Sequence, residues 1–293
     1  MKIIVCIKQV PDTKVPIDIE QDGKNIIEDG LVYMANPDDL CAMEAAVQLK
    51  EQRGGEVTVL TLGLSQAEET LRSCLAMGAD HAVLLKDQAF DGGDSFATAN
   101  TLAQALKKME YDLILTGSQT LDGGHGQVAA TLAEILGLPF VSGVTRLERV
   151  ANQGMTLHRK LERGDREVIE STLPAVIGVT EGINSPRYAS LPDVIAAMRQ
   201  EIEVRQASDL GLRREQLGVK GSLTQFHGYT PPRPRPKKTF APDSNLSPAE
   251  RMRQLMSGGI SKKKSGELLE GEAGEVVKQI VQFLKDEKII VLP

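Results

Sequence analysis

The sequence predicts an α/β protein with a Rossmann-like, open and mostly parallel sheet that carries helices on both faces. Two observations predict this fold. Short apolar segments that suit buried strands alternate regularly with longer amphipathic segments that suit helices. A glycine-rich loop joins one such strand, 113–115, to a helix that begins near Val128, as is common where a parallel sheet binds a ligand. We also expect a small antiparallel excursion and a C-terminal arm.

The composition excludes several functional classes. The 293 residues are 41% hydrophobic and 25% charged, which is ordinary for a soluble globular protein. The net charge of −6 and the 3% aromatic content argue against nucleic acid as a partner. No apolar run reaches the roughly 18–20 residues that cross a bilayer, so no direct membrane insertion is expected. Cys6, Cys41 and Cys74 lack metal or disulfide spacing and favour a reducing compartment, the cytoplasm.

The N-terminal elements follow from local patterns. Residues 2–8 have the composition of a buried strand, and residues 16–33 alternate around two Asp-Gly turns, which predicts a hairpin excursion. Asn36 and Pro37 then begin a helix, and Gly54-Gly55 end it.

The next elements continue the alternation of strands and helices. The predicted strands are 56–62 and 82–85, and the predicted helices are 65–77, opened by a capping box of Ser65 and Glu68, and 94–109. The carboxyl ends of parallel strands meet at one edge of the sheet, where ligands bind near the switch in strand order. A single nucleotide site across these loops is therefore expected.

The character of the chain changes after residue 143. Short antiparallel strands are predicted within 143–172, then a buried strand over 174–180 and a helix over 192–199. We assign residues 1–205 to a nucleotide-binding domain. Residues 206–293 are assigned to an extended linker, which contains the basic run PPRPRPKK, and to an arm whose terminal helix, roughly 274–287, packs on a partner subunit.

The glycine loop is the most informative motif. Gly117, Gly123, Gly124 and Gly126 let the backbone approach a ligand closely, and the helix after them offers unpaired N–H groups to an anion. The pattern predicts a phosphate cradle, although it matches neither a Walker A loop nor a GxGxxG fingerprint. A glycine-rich turn without a ligand is the alternative from the loop alone.

Five segments, in order over most of residues 1–200, resemble the β subunit of electron transfer flavoproteins. They are IIVCIKQVPDT (3–13), NPDDLCAMEAAVQLKE (36–51), GLSQAEETLRSCLAMGADHAVLL (63–85), the glycine loop (117–128) and SPRYASLPDVIAAM (185–198).

The resemblance implies an electron carrier and not an enzyme, with no catalytic acid, base or nucleophile. The chain would pair with an electron transfer flavoprotein α subunit, hold FAD with it, and relay electrons from flavin-dependent dehydrogenases of the acyl-CoA dehydrogenase type or similar. It would also hold an adenine nucleotide of its own, AMP or a second FAD.

The resemblance also implies the site residues. Backbone N–H groups of 123–127 would bind phosphate, while Asp122 would fix the loop or a ribose hydroxyl, because like charges repel. The implied cofactor-binding residues are Cys6, Asn36, Pro37, Asp38, Asp39, Leu62, Gly117, Asp122, Gly123, Gly124, His125, Gly126, Gln127 and Val128. Tyr188 and Leu191 would dock the dehydrogenase partner, and no metal site is expected.

The sequence departs from the family pattern in the cradle, where His125 stands and no Gly-Pro follows Val128. Asp122-Gly123 and Gln127-Val128 are shared with the bifurcating members, and residues 11–13, the Asp29-Gly30 hairpin and the long arm also resemble that branch. Because of the departures in the cradle, the choice between AMP and a second FAD stays open. Family members commonly have a lysine-rich segment after the docking loop, and here residues 196–200 replace it. The identity of the dehydrogenase partner therefore stays open. A stand-alone ATP- or AMP-binding regulatory module of the stress-protein type is the alternative function. An adenylating enzyme would need a signature loop that residues 8–11 do not provide.

Overall fold

The computed structural model describes residues 1–151, 154–230, 246–256, 269 and 271–286. The chain divides into two compact units, Met1–Pro231 and Pro232–Pro293, whereas the sequence analysis placed the domain boundary after residue 205. The first unit extends further because Ala207, Leu210 and Leu217 are buried in its core. The basic run and the apolar tail 289–293 lie outside the described residues.

The first unit contains eleven strands among its described residues. They are β1 (Lys2–Cys6), β2 (Gln9–Pro11), β3 (Tyr33–Ala35), β4 (Glu56–Leu62), β5 (His81–Leu85), β6 (Leu113–Gly117), β7 (Phe140–Ala151), β8 (Gly154–Lys160), β9 (Arg166–Thr172), β10 (Ala175–Val179) and β11 (Glu203–Arg205).

Its helices are α1 (Pro37–Arg53), α2 (Ala67–Met77), α3 (Ser95–Leu106), α4 (Val128–Leu136), α5 (Leu191–Arg199), α6 (Ala207–Leu210) and α7 (Gly218–Gly221). The second unit contains α8 (Pro248–Met256) and α9 (Ala273–Asp286), and α9 confirms the terminal helix. Its packing on a partner subunit stays a prediction. None of the helices described is both long and apolar enough to cross a membrane.

One sheet of nine strands dominates the first unit, in the order β11-β5-β4-β1-β6-β10-β7-β8-β9. All pairs from β11 to β7 are parallel, whereas β8 pairs antiparallel with both β7 and β9. The mostly parallel α/β fold is thus confirmed, as are the antiparallel strands within 143–172. The first strand of that group begins earlier than predicted because Phe140 and Val141 still pair with β10.

The small antiparallel excursion is also confirmed. β2 and β3 form a separate two-stranded antiparallel sheet, with Val10 opposite Met34. Between them an antiparallel bridge joins Ile19 to Ile26 across the turn at Gly23. The excursion leaves the main sheet after β1 and returns at the start of α1.

Alternating strand residues bury two apolar cores, one on each face of the sheet. Ile3 and Val5 of β1 belong to the core under α1 and α2. Ile4 and Cys6 belong to the core under α3 and α4. Because helices cover both faces of the sheet centre, the central strands β1, β6 and β10 are predominantly apolar and buried along their length.

Helix boundaries follow the sequence signals except at α2. α1 begins after Asn36 and ends at Gly54, as expected. The predicted capping box of Ser65 and Glu68 is wrong, because α2 begins after Gln66 and no side chain caps it in the described structure. Ser65 instead accepts the Glu68 N–H with its backbone carbonyl, in a turn that precedes the helix.

The strand order changes direction at β1. The chain adds β4 and β5 on one side of β1 and places β6 and β10 on the other side. The carboxyl ends of β1 and β6 therefore lie at the switch point, the place where open α/β sheets bind ligands. We call the region between these two strand ends the β1/β6 crevice.

Candidate functional site

Asp39, in the first turn of α1, joins the two walls of the β1/β6 crevice. Its Oδ2 accepts the Lys8 N–H at 2.8 Å, and its Oδ1 accepts the Gly117 N–H at 2.8 Å. Burial raises the pKa of this carboxyl to about 7, although the backbone N–H donors act in the opposite direction. Pro37 opens the helix, where its missing N–H costs no hydrogen bond. Asp39 thus fixes the spacing of the loops after β1 and β6.

Asn36 and Asp38 hold the loop after β6 in the same way. The Asn36 amide donates to the Gln119 carbonyl at 2.8 Å and accepts the Leu121 N–H at 3.1 Å. Asp38 accepts the Gln119 N–H at 3.3 Å and the Glu181 N–H at 2.8 Å. Both side chains are buried, so their hydrogen bonds shape the crevice from behind.

The loop after β6 depends on glycine at two positions. A Cβ on Gly117 would lie 2.2 Å from Oδ1 of Asp39, so only glycine lets the strand end approach α1. Gly126 has φ of 61°, and a Cβ there would lie 3.2 Å from the Ser118 carbonyl oxygen. The loop exposes the predicted cradle residues Asp122, Gly123, Gly124, His125, Gly126 and Gln127.

The helix after this loop begins without a cap. Gln127 precedes α4 in a helical conformation, and in the part of the chain that the structure describes no side chain caps this terminus. Val128, the first helical residue, is half-buried. The first-turn N–H groups of a helix have no intrahelical acceptor, and its dipole places positive charge there. An exposed, uncapped terminus of this kind suits an anion.

Lys8 and Asp122 form an ion pair between the two walls of the crevice. The Lys8 ammonium donates to Oδ2 of Asp122 at 2.5 Å, while Oδ1 of Asp122 accepts the Gly123 N–H at 2.7 Å. Burial disfavours ionisation of Asp122, but its hydrogen bonds and the Lys8 charge outweigh burial and lower its pKa. Asp122 is therefore an ionised carboxylate beside the cradle.

The remaining predicted contacts differ in character. Cys6, at the end of β1, is buried, and burial together with the Asp39 charge raises the pKa of its thiol to about 12. A neutral thiol of this kind is a small apolar wall and not a nucleophile. Leu62 is half-buried at the end of β4, and His125 is exposed in the loop beside Gly123.

The predicted docking residues lie at the start of α5. Tyr188 is 100% exposed and Leu191 is 72% exposed, although both are large and apolar. Ser190 caps the helix by accepting the Asp193 N–H at 3.4 Å, and Ala197 on the opposite side is buried. Apolar side chains that a rigid helix start presents to solvent suit a protein partner.

The comparisons with known proteins identify the family. The sequence model of the electron transfer flavoprotein domain matches residues 24–210. The chain belongs to the electron transfer flavoprotein family. The electron transfer flavoprotein subunit beta of Thermoanaerobacterium thermosaccharolyticum is 35% identical over 99% of this chain and 100% of its own length.

Two further relatives cover most of the chain. The caffeyl-CoA reductase-Etf complex subunit CarD of Acetobacterium woodii is 42% identical over 79% of this chain and 88% of its own length. The protein FixA of Sinorhizobium fredii is 38% identical over 83% of this chain and 88% of its own length. The resemblance to β subunits is confirmed, and with it an electron carrier rather than an enzyme. The comparisons give the stand-alone regulatory module no support.

The residues that hold the predicted docking loop in place were not predicted from the sequence. Arg187 donates from Nε to Oε2 of Glu44 at 2.8 Å and from Nη1 to Oε1 of Glu51 at 2.6 Å. Glu44 is buried, yet hydrogen bonds and charge from Arg187 outweigh burial and lower its pKa. Arg72 donates to the carbonyls of Ala197 and Met198 at 2.9 and 3.1 Å at the end of α5. One signal was available in the sequence, a Glu44 within the apolar stripe of α1.

Proposed function

We propose that this chain is a β subunit that binds an adenine nucleotide, AMP or a second FAD, in the β1/β6 crevice. It pairs with an electron transfer flavoprotein α subunit and holds FAD with it. The single observation that carries the nucleotide site is the uncapped start of α4 behind an exposed glycine loop. The buried polar side chains of α1 fix that loop in advance, which reduces the ordering cost of binding.

The crevice residues fit a nucleotide. Backbone N–H groups of 123–127 and of the first turn of α4 would hold phosphate, with Gln127 adding a side-chain donor. Cys6 and Leu62 would form apolar walls, because the thiol is neutral and Leu62 is half-buried. His125 would reach phosphate from the exposed loop.

Electron relay needs little chemistry from this chain. Bound FAD supplies the redox chemistry, and no residue of this chain forms or breaks a covalent bond. The work of the chain is to hold the nucleotide, to contact the α subunit and to present a docking surface. We place the complex in the cytoplasm because Cys6, Cys41 and Cys74 are free and buried.

The docking surface would receive a flavin-dependent dehydrogenase of the acyl-CoA dehydrogenase type or similar. The exposure of Tyr188 and Leu191 supports this role. A relative is named as a subunit of a caffeyl-CoA reductase-Etf complex, which also supports a partner that acts on acyl-CoA compounds.

Nucleotide identification tests the proposal most directly. The chain is co-expressed with its α subunit, the purified heterodimer is denatured, and the released FAD and AMP are quantified by chromatography. One FAD and one AMP per heterodimer support a single-flavin carrier, and two FAD support a second flavin in this chain. A heterodimer without flavin contradicts the proposed function.

A kinetic experiment tests docking. Leu191→Ala should lower kcat/KM for reduction of the heterodimer by an acyl-CoA dehydrogenase about thirtyfold, because anchors that fill a partner pocket contribute about 2 kcal/mol or more. The matched control is Leu161→Ala, since Leu161 is also exposed but lies between β8 and β9. Equal effects of the two variants would contradict the assignment of Leu191 as the anchor.

A further inference from the structure

The Lys8–Asp122 ion pair carries a further inference about the nucleotide site. The backbone of Lys8 is fixed, since Asp39 accepts its N–H at 2.8 Å. Its side chain extends to the opposite wall and meets the Asp122 carboxylate. That carboxylate also accepts the Gly123 N–H at 2.7 Å. A single anionic group therefore engages one cation and one amide of the cradle.

These two donors are of the kind that a phosphate group uses. A backbone N–H of a glycine loop and a lysine ammonium are the usual partners of nucleotide phosphates. Asp122 belongs to the loop that precedes α4, so its charge lies in the same region as an incoming phosphate. Two anions that compete for the same donors cannot both be satisfied, and they repel each other.

We propose that the Asp122 carboxylate is a built-in substitute for the nucleotide phosphate, and that Lys8 is a phosphate ligand. When a phosphate binds, the Lys8 ammonium and the Gly123 N–H transfer to it, and Asp122 turns away from the crevice. This inference rests on the proposed nucleotide site and adds a residue, Lys8, to its ligands.

The exchange requires little rearrangement. The side chain of Lys8 is 49% exposed and that of Asp122 is 28% exposed, so both have solvent-facing alternatives. An ion pair with this exposure contributes little to stability. A phosphate dianion attracts the ammonium more strongly than a carboxylate monoanion does, and the adenosine adds contacts that a free anion lacks.

The presence of the Asp122 carboxylate in place of a phosphate also implies selectivity for nucleotides over small anions. Every anion that enters the cradle must first displace Asp122, which lowers the affinity for all of them. Inorganic phosphate has no other contacts to offset this displacement, whereas a nucleotide gains the crevice walls. The pair therefore protects the site from abundant small anions.

Binding measurements on the nucleotide-depleted heterodimer test the inference, with AMP and inorganic phosphate as probes. Lys8→Gln should weaken AMP binding about tenfold, and Lys8→Arg should stay within about threefold of the unchanged protein, because arginine keeps the charge-assisted hydrogen bond that glutamine loses. Asp122→Asn should strengthen AMP binding several-fold and make inorganic phosphate binding measurable. Lys14→Gln is the control, since Lys14 is exposed in the excursion.

Weaker AMP binding in Asp122→Asn, instead of the stronger binding expected, would overturn the inference. If the ion pair only ties the loop in place, Asp122→Asn and Lys8→Gln both weaken AMP binding, whereas Lys8→Arg, which keeps the ion pair, does not. That result leaves the unchanged heterodimer with its nucleotide, so the proposed function survives it. A heterodimer that contains no nucleotide and binds no AMP overturns the proposed site and this inference together.

Discussion

Two loops of the sheet invite comparison because they look alike in sequence and differ in structure. One joins β5 to α3, and the other joins β6 to α4. Both follow a buried parallel strand, both contain adjacent glycines, and both end at the start of an α-helix. Glycine content alone therefore does not distinguish a structural turn from a ligand site.

The helix starts show the difference. At α3, Oδ1 of Asp94 accepts the Ala97 N–H at 2.9 Å, and its Oδ2 accepts the N–H groups of Leu223 and Thr224 at 2.9 Å each. Among the described residues, no side chain caps the start of α4, which follows Gln127. The first-turn N–H groups of α3 are thus partly occupied by the Asp94 carboxylate, whereas those of α4 are available to the proposed ligand.

The largest expected effect comes from removing the α3 cap. Asp94→Ala should lower the free energy of unfolding by about 2 kcal/mol, the upper range for a lost N-cap, because the Leu223 and Thr224 contacts disappear as well. Denaturant unfolding of the heterodimer measures it, and nucleotide content should not change. Asp91→Ala is the control, since Asp91 is exposed and its side chain accepts the N–H of the neighbouring Gly92. Equal stability of the two variants would show that the cap is unimportant.

Placing a carboxylate at the start of α4 tests the comparison from the other side. Gln127→Asp should stabilise the nucleotide-free protein by about 0.3–1 kcal/mol, because a negative charge beside a helix N-terminus interacts favourably with the helix dipole. It should also weaken AMP binding about tenfold, because the new carboxylate repels phosphate. Gln127→Asn separates the effect of the charge from the effect of the shorter side chain, since asparagine has the shape of aspartate without its charge. Calorimetric AMP titrations that show no difference between the two variants would place phosphate elsewhere.

Alanine in each glycine loop gives a smaller effect. Gly126→Ala and Gly92→Ala both force a side chain into positive φ, at 61° and 66°, which costs about 1–2 kcal/mol. Thermal unfolding should detect both, but AMP binding should weaken only in Gly126→Ala. A loss of AMP binding in Gly92→Ala would mean that the two loops are not functionally distinct.

The smallest effect concerns pH. Burial works against ionisation of Asp94, yet its hydrogen bonds together lower its pKa below the ordinary 3.8. A depressed pKa contributes stability that is present above the unfolded value and lost as pH falls through the folded value. The stability difference between the unchanged protein and Asp94→Asn should therefore shrink below about pH 4. A difference that stays constant from pH 7 to pH 3 would contradict this assignment.

Local patterns predicted most of the fold. Strand and helix order, the start of α1 at Asn36 and the antiparallel strands after 143 all follow from residue periodicity and turn residues. The α2 capping box failed because Ser65 and Glu68 have the required spacing, but α2 begins at Ala67, so Gln66 and not Ser65 occupies the N-cap position. Spacing alone does not fix where a helix begins.

The supporting contacts of the sites were not predictable in the same way. Arg187 and Glu44 are 143 positions apart, and Asp94 meets Thr224 at a separation of 130. Such pairs depend on how helices pack, which no local window contains. The resemblance gave the list of crevice residues. It did not predict that the side chains of Asn36, Asp38 and Asp39 form hydrogen bonds to neighbouring loops.

Helix α1 contacts both proposed sites, the nucleotide site and the docking loop. In its first turn, Asp39 accepts the Gly117 N–H at the β1/β6 crevice. Further along the same helix, Glu44 and Glu51 bind Arg187 of the predicted docking loop. At about 1.5 Å per residue, Asp39 and Glu51 are separated by about 18 Å of continuous helix. Because α1 is one continuous helix, it fixes the distance between the proposed nucleotide site and the proposed docking anchor. Any partner that tilts α1 would displace both ends at once.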